Sequence, residues 1–382
     1  MSKVILSANT DWYLYNFRLS LAQALRQQGF EVLLVSPPGK YTSQLQEHGF
    51  RWLAWQIGRQ TLAPWEELGA LLQLVRIYRR EQPLLVHHHT IKPVLYGSWA
   101  ARLAAIPAVV NSITGRGYIF LGEDSKARFL RHVVKLFYWG AFRSRNCAVI
   151  FENDYDRQFF LSEKLVPSEK SWLIEGVGVD LHRFVPVEEP QGLPVVVLPA
   201  RMLWDKGVGV FVDAARILQA MTRVRVVLVG EPDPGNPKTV HRSTLEKWVQ
   251  EGVVEWWGWR QDMKTVYASS HIVTLPSLGE GVPTVLLEAA ASGRPIVATD
   301  VPGCREVVSH GVNGFLVPPN DAESLAKALY ELITDPDLRG RMGASGRKLV
   351  SERFSDTKIN ADTLAVYRQV MNYSGIPQTE KK

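Results

Sequence analysis

The sequence has few of the residues that mark a secreted, membrane-spanning or metal-held protein. Its two cysteines, Cys147 and Cys304, are far apart and in no metal-ligand spacing. This excludes a disulfide framework and favours a reducing compartment. No apolar run reaches the roughly 18 residues of a spanning helix, and the apolar run at the N-terminus is too short for a signal peptide. We therefore expect a cytoplasmic protein.

A nicotinamide- or flavin-binding signature is also missing. Neither of the turns that follow the first predicted strand of each half contains Gly-x-Gly-x-x-Gly, which disfavours a Rossmann oxidoreductase. What is present is a globular composition of 382 residues, 46% hydrophobic and 21% charged. That length exceeds one compact core and predicts two domains.

Short apolar runs alternate with helical patterns along the whole chain, which is typical of parallel α/β sheets. In the first half, strands are predicted at Val4–Ala8, Glu31–Ser36, Leu84–His88, Ala108–Ile113 and Cys147–Phe151. In the second half, they are predicted at Val195–Pro199, Arg225–Val229, Val254–Trp257, Ile272–Leu275, Pro295–Ala298 and Phe315–Val317. We therefore predict two Rossmann-like domains, 1–185 and 186–354, and a C-terminal segment, 355–382, whose helix returns to the first domain. Ligands of such sheets bind beyond the carboxyl ends of the strands, so we expect a cleft between the domains.

The net charge of +6 is concentrated in the first half of the chain. Residues 1–175 hold 21 Lys and Arg against 14 Asp and Glu, a balance of +7. Segment 125–145 contains six Lys or Arg and no acid, interleaved with aromatic and aliphatic residues. Such a helix favours an anionic membrane surface, and a core helix with a solvated basic edge is equally compatible with the pattern. Nucleic acid is not expected, because no long basic stripe or binding motif is present.

The most informative stretch is GEGVPTVLLEAAASGRP, from Gly279 to Pro295. Glu280 lies in a Gly-flanked loop, and Pro283 stands at the predicted first position of a helix that Gly293 ends. Glu288 lies about one and a half turns further along this helix. The N–H groups near Val282, Thr284 and Val285, together with the helix dipole, predict an anion site flanked by two carboxylates.

Two cations are predicted at the same rim of the second sheet. Arg201 and Lys206 follow the first strand of that sheet, and fixed cations there neutralise a diphosphate and stabilise a departing phosphate. With the carboxylates they predict a nucleotide-sugar site.

These residues carry a resemblance to the retaining glycosyltransferase family 4, which has the GT-B fold. The matching pieces follow the family's order: Arg201…Asp205-Lys206-Gly207, Glu280-Gly281-x-Pro283, Glu288 and Gly293-x-Pro295, and Glu306…Gly311-x-Asn313-Gly314. The resemblance implies that Arg201 and Lys206 contact the donor diphosphate, Glu280 the transferred sugar and Glu288 the ribose. It also implies donor contacts from Gly281, Val282, Pro283, Thr284 and Val285, and from the base-side residues Gly258 and Arg260.

The first half resembles a bacterial subgroup that builds lipid-linked glycans, including N-acetylgalactosaminyltransferases. Its matches are Ile91-Lys92-Pro93, Tyr96-Gly97 and Asn111-Ser112-Ile113-Thr114-Gly115-x-Gly117-Tyr118. Acceptor-side residues are then expected among His89, Lys92, Thr114 and Gly115, with Lys92 toward the lipid diphosphate. Two features depart from the family pattern. Asn9–Asn16 stands where many relatives have a Gly-rich loop, and Thr114-Gly115 stands where many have a His.

The implied reaction is retaining transfer of a hexose or N-acetylhexosamine, with GalNAc from UDP-GalNAc the best candidate, to a polyprenyl-diphosphate-linked sugar. The resemblance also implies independence of metal and of any cofactor besides the donor. Asp154-Tyr155-Asp156 matches the metal motif of other transferases, but it starts a predicted helix, where Asp is a common cap. We expect a peripheral protein at the inner face of the plasma membrane. The alternatives are a related enzyme with a soluble acceptor, or a non-catalytic nucleotide-sugar-binding module.

Overall fold

The computed structural model describes residues 2–58, 63–115, 125–144 and 146–373, with the backbone alone at 125–130 and 373. The chain divides into two compact domains. The N-terminal domain comprises Met1–Val177 and Ile359–Lys382, and the C-terminal domain comprises Gly178–Lys358. The first boundary between them thus falls after Val177, ahead of the predicted boundary between residues 185 and 186.

The N-terminal domain is built on a parallel sheet of seven strands in the order β3-β2-β1-β4-β5-β6-β7. The strands are β1 Lys3–Ser7, β2 Glu31–Ser36, β3 Arg51–Ala54, β4 Leu85–His89, β5 Ala108–Ile113, β6 Cys147–Phe151 and β7 Ser171–Leu173. The helices are α1 Asp11–Tyr13, α2 Leu19–Gln27, α3 Thr42–Glu47, α4 Pro64–Glu81, α5 Ile91–Leu103, α6 Ser125–Phe142 and α7 Asp154–Ser162, with a π-helical turn at Leu14–Arg18 and a 3-10 turn at Ser168–Lys170.

Helices cover both faces of this sheet. Apolar side chains of α4, α5, α6 and α7 pack on one face, and those of α1, α2 and α3 pack on the other. The central strands β1 and β4 are therefore buried on both sides, β1 with a continuous apolar run and β4 with three buried histidines after Leu85 and Val86.

The C-terminal domain repeats the design with a parallel sheet in the order β10-β9-β8-β11-β12-β13. Its strands are β8 Val195–Pro199, β9 Arg225–Val229, β10 Glu255–Trp256, β11 Ile272–Leu275, β12 Ile296–Thr299 and β13 Gly314–Val317. Its helices are α8 Val208–Met221, α9 Arg242–Gln250, α10 Met263–Ala268, α11 Thr284–Ala291, α12 Pro302–Val307, α13 Ala322–Thr334 and α14 Pro336–Arg353, with a 3-10 turn at Trp204–Lys206.

The last helix, α15 at Asp356–Tyr373, returns to the N-terminal domain as predicted. Its Ile359, Val366, Tyr367 and Val370 are buried in the same core cluster as Val4 of β1.

Several local predictions were wrong. The sequence pattern of Phe17–Gln28 predicts a helix. The helical segment instead begins at Asp11 and passes through the π-helical turn, because Thr10 caps it by accepting from the Tyr13 N–H at 3.1 Å. Pro283 precedes α11 instead of occupying its first position. The Pro-Gly pair in Val301-Pro302-Gly303 predicts a turn after β12. These residues instead lead into α12, and Pro302 stands at its first position, where Pro is favoured.

Within the described ranges, no helix is both long and apolar enough to cross a bilayer.

Candidate active site

The order of strands in the C-terminal sheet indicates where a ligand is expected to bind. The chain runs outward from β8 to β9 and β10 on one side, then returns to β11, which lies on the other side of β8. This reversal point lies between β8 and β11, and ligands of doubly wound sheets bind beyond the carboxyl ends of the strands there. The loops that follow β8 and β11 carry Arg201, Lys206 and Glu280.

Lys206 and Glu280 meet directly at this rim. The Lys206 Nζ lies 2.6 Å from Glu280 Oε1, and the side chains are only 22% and 10% exposed. Two residues 74 positions apart in sequence thus form a largely buried ion pair at the reversal point. An ammonium has three donors, so Lys206 can bind an anion while it still orients Glu280.

Backbone contacts between the two loops hold this pair in place. The Asp205 carbonyl accepts from the Leu278 N–H at 2.8 Å and from Ser277 Oγ at 3.1 Å. Gly207 ends the 3-10 turn at φ +73°, and a Cβ there would lie 1.9 Å from the Pro276 carbonyl oxygen. Only glycine fits both the left-handed conformation and this close approach.

A second close approach joins α12 to the loop that carries Glu280. A Cβ on Gly303 of α12 would lie 1.6 Å from the Gly281 carbonyl oxygen. Backbone therefore packs directly on backbone between α12 and the Glu280 loop, and no side chain fits at Gly303.

Arg201 is placed differently from Lys206. It is 52% exposed, and its Nη1 lies 2.8 Å from Asp233 Oδ2, in the loop after β9. Sequence reasoning missed Asp233, although its position just after the β9 strand is a signal that marks rim residues. An exposed pair of this kind exchanges partners at low free-energy cost, so Arg201 is available to an anion.

Glu288 lies on α11 and is oriented by a tyrosine from another helix. The hydroxyl of Tyr267, on α10, donates to Glu288 Oε2 at 2.8 Å and also contacts the Val285 carbonyl at 3.2 Å. Burial raises the pKa of Glu288 to about 7, while the Tyr267 hydrogen bond and the charge of Arg183 act in the opposite direction. Glu288 is therefore poised to change its ionisation near neutral pH.

The start of α11 presents the expected N–H groups. The Pro283 carbonyl accepts from Leu286 at 3.0 Å and Leu287 at 3.3 Å, so it is the first bonded carbonyl of the helix. The N–H groups of Thr284 and Val285 precede those bonds and project from the N-terminal end. They add the positive end of the helix dipole to the rim.

The base-side candidates lie after β10. The Gly258 carbonyl accepts from the Gly230 N–H at 2.8 Å, which links the loops after β9 and β10. Arg260 is exposed in the same loop. These two positions share the carboxyl edge of the sheet with Lys206 and Glu280, and their contact with a base stays a prediction.

In the N-terminal domain, the run His87-His88-His89 forms a buried hydrogen-bond network. His87 contacts Tyr367 Oη at 2.6 Å and Ser112 Oγ at 2.7 Å, and His88 contacts Asn111 Oδ1 at 2.7 Å. Burial lowers the pKa of all three imidazoles. These histidines are therefore neutral, and no group of His, Cys, Asp or Glu suited to a metal occurs in the described part of the chain.

His89, at the end of β4, has one nitrogen left for other use. Its Nδ1 contacts the Ser7 carbonyl at 3.1 Å, which can only accept, so Nδ1 carries the proton. Its Nε2 is buried without a hydrogen-bond partner. Sequence reasoning missed its neighbour Arg18, which forms a buried ion pair with Glu152 at 2.8 Å.

The other acceptor-side candidates lie on α5 and just after β5. Lys92 Nζ contacts Glu67 Oε1 at 2.6 Å and the Gly58 carbonyl at 2.8 Å, and it thereby ties α5 to α4. Thr114 and Gly115 are half-buried just after β5. Gly117 and Tyr118 lie outside the described residues.

The comparisons with known proteins agree with this architecture. The family profile "Glycosyl transferase 4-like" matches residues 3–147, and the profile "Glycosyl transferases group 1" matches residues 193–335. The first match spans β1 to β5 of the N-terminal sheet, and the second spans all six strands of the C-terminal sheet. The chain therefore belongs to the group 1, family 4-like glycosyltransferases of GT-B fold, and it is a glycosyltransferase.

Two curated relatives align with most of the chain. The N,N'-diacetylbacillosaminyl-diphospho-undecaprenol alpha-1,3-N-acetylgalactosaminyltransferase of Campylobacter jejuni is 29% identical and covers 85% of this chain and 88% of its own. The UDP-Gal:alpha-D-GlcNAc-diphosphoundecaprenol alpha-1,3-galactosyltransferase of Escherichia coli is 27% identical, with 77% of each chain covered.

A solved structure shows the same fold. HepE of Anabaena, crystallised with UDP and glucose, superposes with a TM-score of 0.77 over 96% of this chain and 100% of its own, at 20% identity.

Proposed function

We propose that this glycosyltransferase moves a hexose or N-acetylhexosamine from a UDP-sugar to a polyprenyl-diphosphate-linked sugar, with GalNAc from UDP-GalNAc as the first donor to test. The observation that carries the donor side is the Lys206–Glu280 pair at the reversal point of the C-terminal sheet. The acceptor class is supported by two relatives whose names specify diphosphoundecaprenol-linked sugars.

Each rim residue then has a distinct role. Lys206, Arg201 and the first N–H groups of α11 contact the diphosphate, and Glu280 contacts the transferred sugar through its hydroxyls. Glu288 binds the ribose hydroxyls, which donate best to the ionised carboxylate. Gly258 and Arg260 flank the base.

The reaction proceeds with retention. The bond between the anomeric carbon and the diphosphate oxygen breaks, and the acceptor oxygen bonds to the carbon on the same face. The acceptor's proton passes to the departing diphosphate oxygen, so no protein base is required. Lys206 and Arg201 stabilise the charge that develops on the leaving group.

We propose that no metal and no cofactor besides the donor takes part. Two cations and a helix terminus supply the positive charge that a metal ion provides in other transferases. Turnover is then unchanged when EDTA is added, and a loss that Mg²⁺ or Mn²⁺ restores would contradict this proposal.

The protein works at the inner face of the plasma membrane without spanning it. The basic segment 125–145 attracts anionic lipid, which brings the enzyme to an acceptor that is anchored in the bilayer. Of this segment, Arg145 and the side chains of Lys126 and Arg128 lie outside the described residues.

A donor panel tests the proposal. Purified protein is incubated with UDP-GalNAc, UDP-GlcNAc, UDP-galactose or UDP-glucose and a polyprenyl-diphosphate-linked sugar, and the lipid product is analysed by mass spectrometry and by NMR of the new linkage. We expect an α-linked product from one donor. Transfer to water-soluble acceptors alone would contradict the acceptor class, and a β-linked product would contradict retention.

A further inference from the structure

Helix α4 presents an apolar face to solvent. Trp65, Leu68 and Leu72 are 83%, 49% and 43% exposed, and their spacing of three and four places them on one side of the helix. The opposite side buries Leu74 and Tyr78 in the core. The helix thus has a buried apolar side that packs in the core and a second apolar side that faces solvent.

Helix α6 likewise has one buried apolar side and one exposed apolar side. Leu136 and Trp139 are 66% and 47% exposed, whereas Val134, Tyr138 and Phe142 are buried. Phe137 is also 43% exposed. The sequence is compatible both with a membrane-binding helix and with a core helix that has a solvated basic edge. In the structure α6 packs on the core, and its outward face is apolar and aromatic as well as basic.

The two outward faces belong to one helical layer. Helices α4, α5 and α6 all pack on the same face of the N-terminal sheet, and α5 contacts both of the others. An aromatic contact joins α5 to α6, where the rings of Trp99 and Phe137 lie 6.1 Å apart.

Guanidinium groups border the aromatic side chains. Arg102 lies over the Trp99 ring at 5.6 Å, and Arg143 lies over the Trp139 ring at 4.4 Å. On α4, Arg76 is exposed one helical turn beyond Leu72. Tryptophan and leucine with flanking arginines is the composition of the bilayer interface, where rings enter the headgroup region and guanidiniums reach phosphate.

We propose that the outward faces of α4 and α6 together form a docking surface that inserts into the interfacial region of an anionic bilayer. A bilayer is favoured over another partner because arginines flank the apolar side chains and because residues 1–175 carry the excess positive charge. This proposal rests on the proposed function, whose acceptor is anchored in lipid. Helix α4 is then a second membrane contact beside α6. Its first turn carries acidic residues, so charge alone does not mark α4 as a membrane-binding helix.

Vesicle sedimentation tests the surface with matched variants of the full chain. One variant carries Trp65→Gln and Leu68→Gln, and a second carries Leu136→Gln and Trp139→Gln. The control carries Met221→Gln and Val249→Gln, two exposed apolar residues of the C-terminal domain. Vesicles are phosphatidylcholine with or without phosphatidylglycerol.

We expect wild-type protein and the control to sediment with the anionic vesicles, and each of the first two variants to partition about tenfold less, because two interfacial side chains are lost. Unchanged partitioning of the Trp65/Leu68 variant would overturn the role of α4. A wild-type dimer that the substitutions convert to monomer would identify a second copy as the occupant and overturn the bilayer.

Transfer assays with soluble and lipid-linked acceptors separate the docking surface from the proposed function. Transfer to a short-chain, detergent-free soluble analogue of the acceptor does not need a membrane, so both surface variants retain it. Transfer to the lipid acceptor with normal vesicle binding by the variants would reject the docking surface alone. Vesicle binding that depends on these residues without any transfer would reject the proposed function alone.

Discussion

Replacing Tyr267 by Phe removes one hydroxyl that orients the ribose-side carboxylate. In the wild type this hydroxyl donates to Glu288 Oε2 at 2.8 Å, and the pKa of Glu288 is raised to about 7. A hydrogen bond to a charged group stabilises it by about 1.5–3 kcal/mol. At 1.36 kcal/mol per pKa unit, its loss raises the pKa of Glu288 by about one to two further units.

The sign of the effect on donor binding follows from the ionised form. If ribose hydroxyls bind the carboxylate, wild-type affinity for UDP rises with pH through about 7, the pKa of Glu288. In Tyr267→Phe the same rise occurs about one to two pH units higher. UDP binding at neutral pH is then weakened, and it recovers in alkaline buffer.

The stability of the free protein changes in the opposite sense. The folded-state pKa of Glu288 is raised above the ordinary value of 4.5, so folding loses stability as pH rises from 4.5 to about 7. Tyr267→Phe extends this loss to higher pH. Stability and donor affinity therefore respond to the same ionisation with opposite signs.

The assay is calorimetric titration of UDP from about pH 6 to about pH 9. Tyr78→Phe is the matched control, because the Tyr78 hydroxyl is also buried and hydrogen-bonded, 2.9 Å from His88 Nε2 in the N-terminal domain. Glu288→Gln should remove the pH dependence. An unchanged midpoint in Tyr267→Phe, or a uniform loss of affinity at every pH, would refute the reasoning.

Three further predictions concern the cations of the rim, the packing beneath the Glu280 loop, and Lys92. Lys206→Ala should lower kcat by at least about 100-fold. Arg201→Ala should also lower turnover, but it should change the free energy of unfolding by less than about 1 kcal/mol. Normal turnover in both variants would remove the diphosphate assignment. Gly303→Ala should reduce kcat, because the new Cβ would lie 1.6 Å from the Gly281 carbonyl oxygen. The control Gly340→Ala places its Cβ where no atom lies within 4 Å, so it should be neutral or stabilising. Equal activities of the two variants would contradict the close packing of Gly303 on the Glu280 loop. Lys92→Met should lower the denaturation midpoint, because it removes the Lys92 ion pair from the Glu67 carboxylate on α4, which is only 15% exposed. Unchanged stability with a raised KM for the acceptor would instead assign Lys92 to substrate binding.

Strands such as β6 and β8 were predictable because burial on both faces favours a run of apolar residues. The bounds of β5, β6 and β8 agree with the sequence patterns residue for residue. The short edge strands β3 and β7 were missed, because they span only four and three residues and are partly exposed.

The site was predictable to the extent that strand order determines it. Parallel strands end at one edge, so Lys206 and Glu280 were expected at the same rim, where they form an ion pair. Their direct contact, and the pairing of Tyr267 with Glu288, depend on how loops pack across the sheet. No local sequence pattern encodes contacts between residues that lie on separate loops or helices.

The central claim is that a nucleotide sugar binds at the reversal point of the C-terminal sheet. A crystal structure of the full chain with UDP tests it most directly. We expect the diphosphate against Lys206 and the first N–H groups of α11, with the ribose hydroxyls on Glu288. UDP bound elsewhere, with the Lys206–Glu280 pair left untouched by ligand, would contradict the claim.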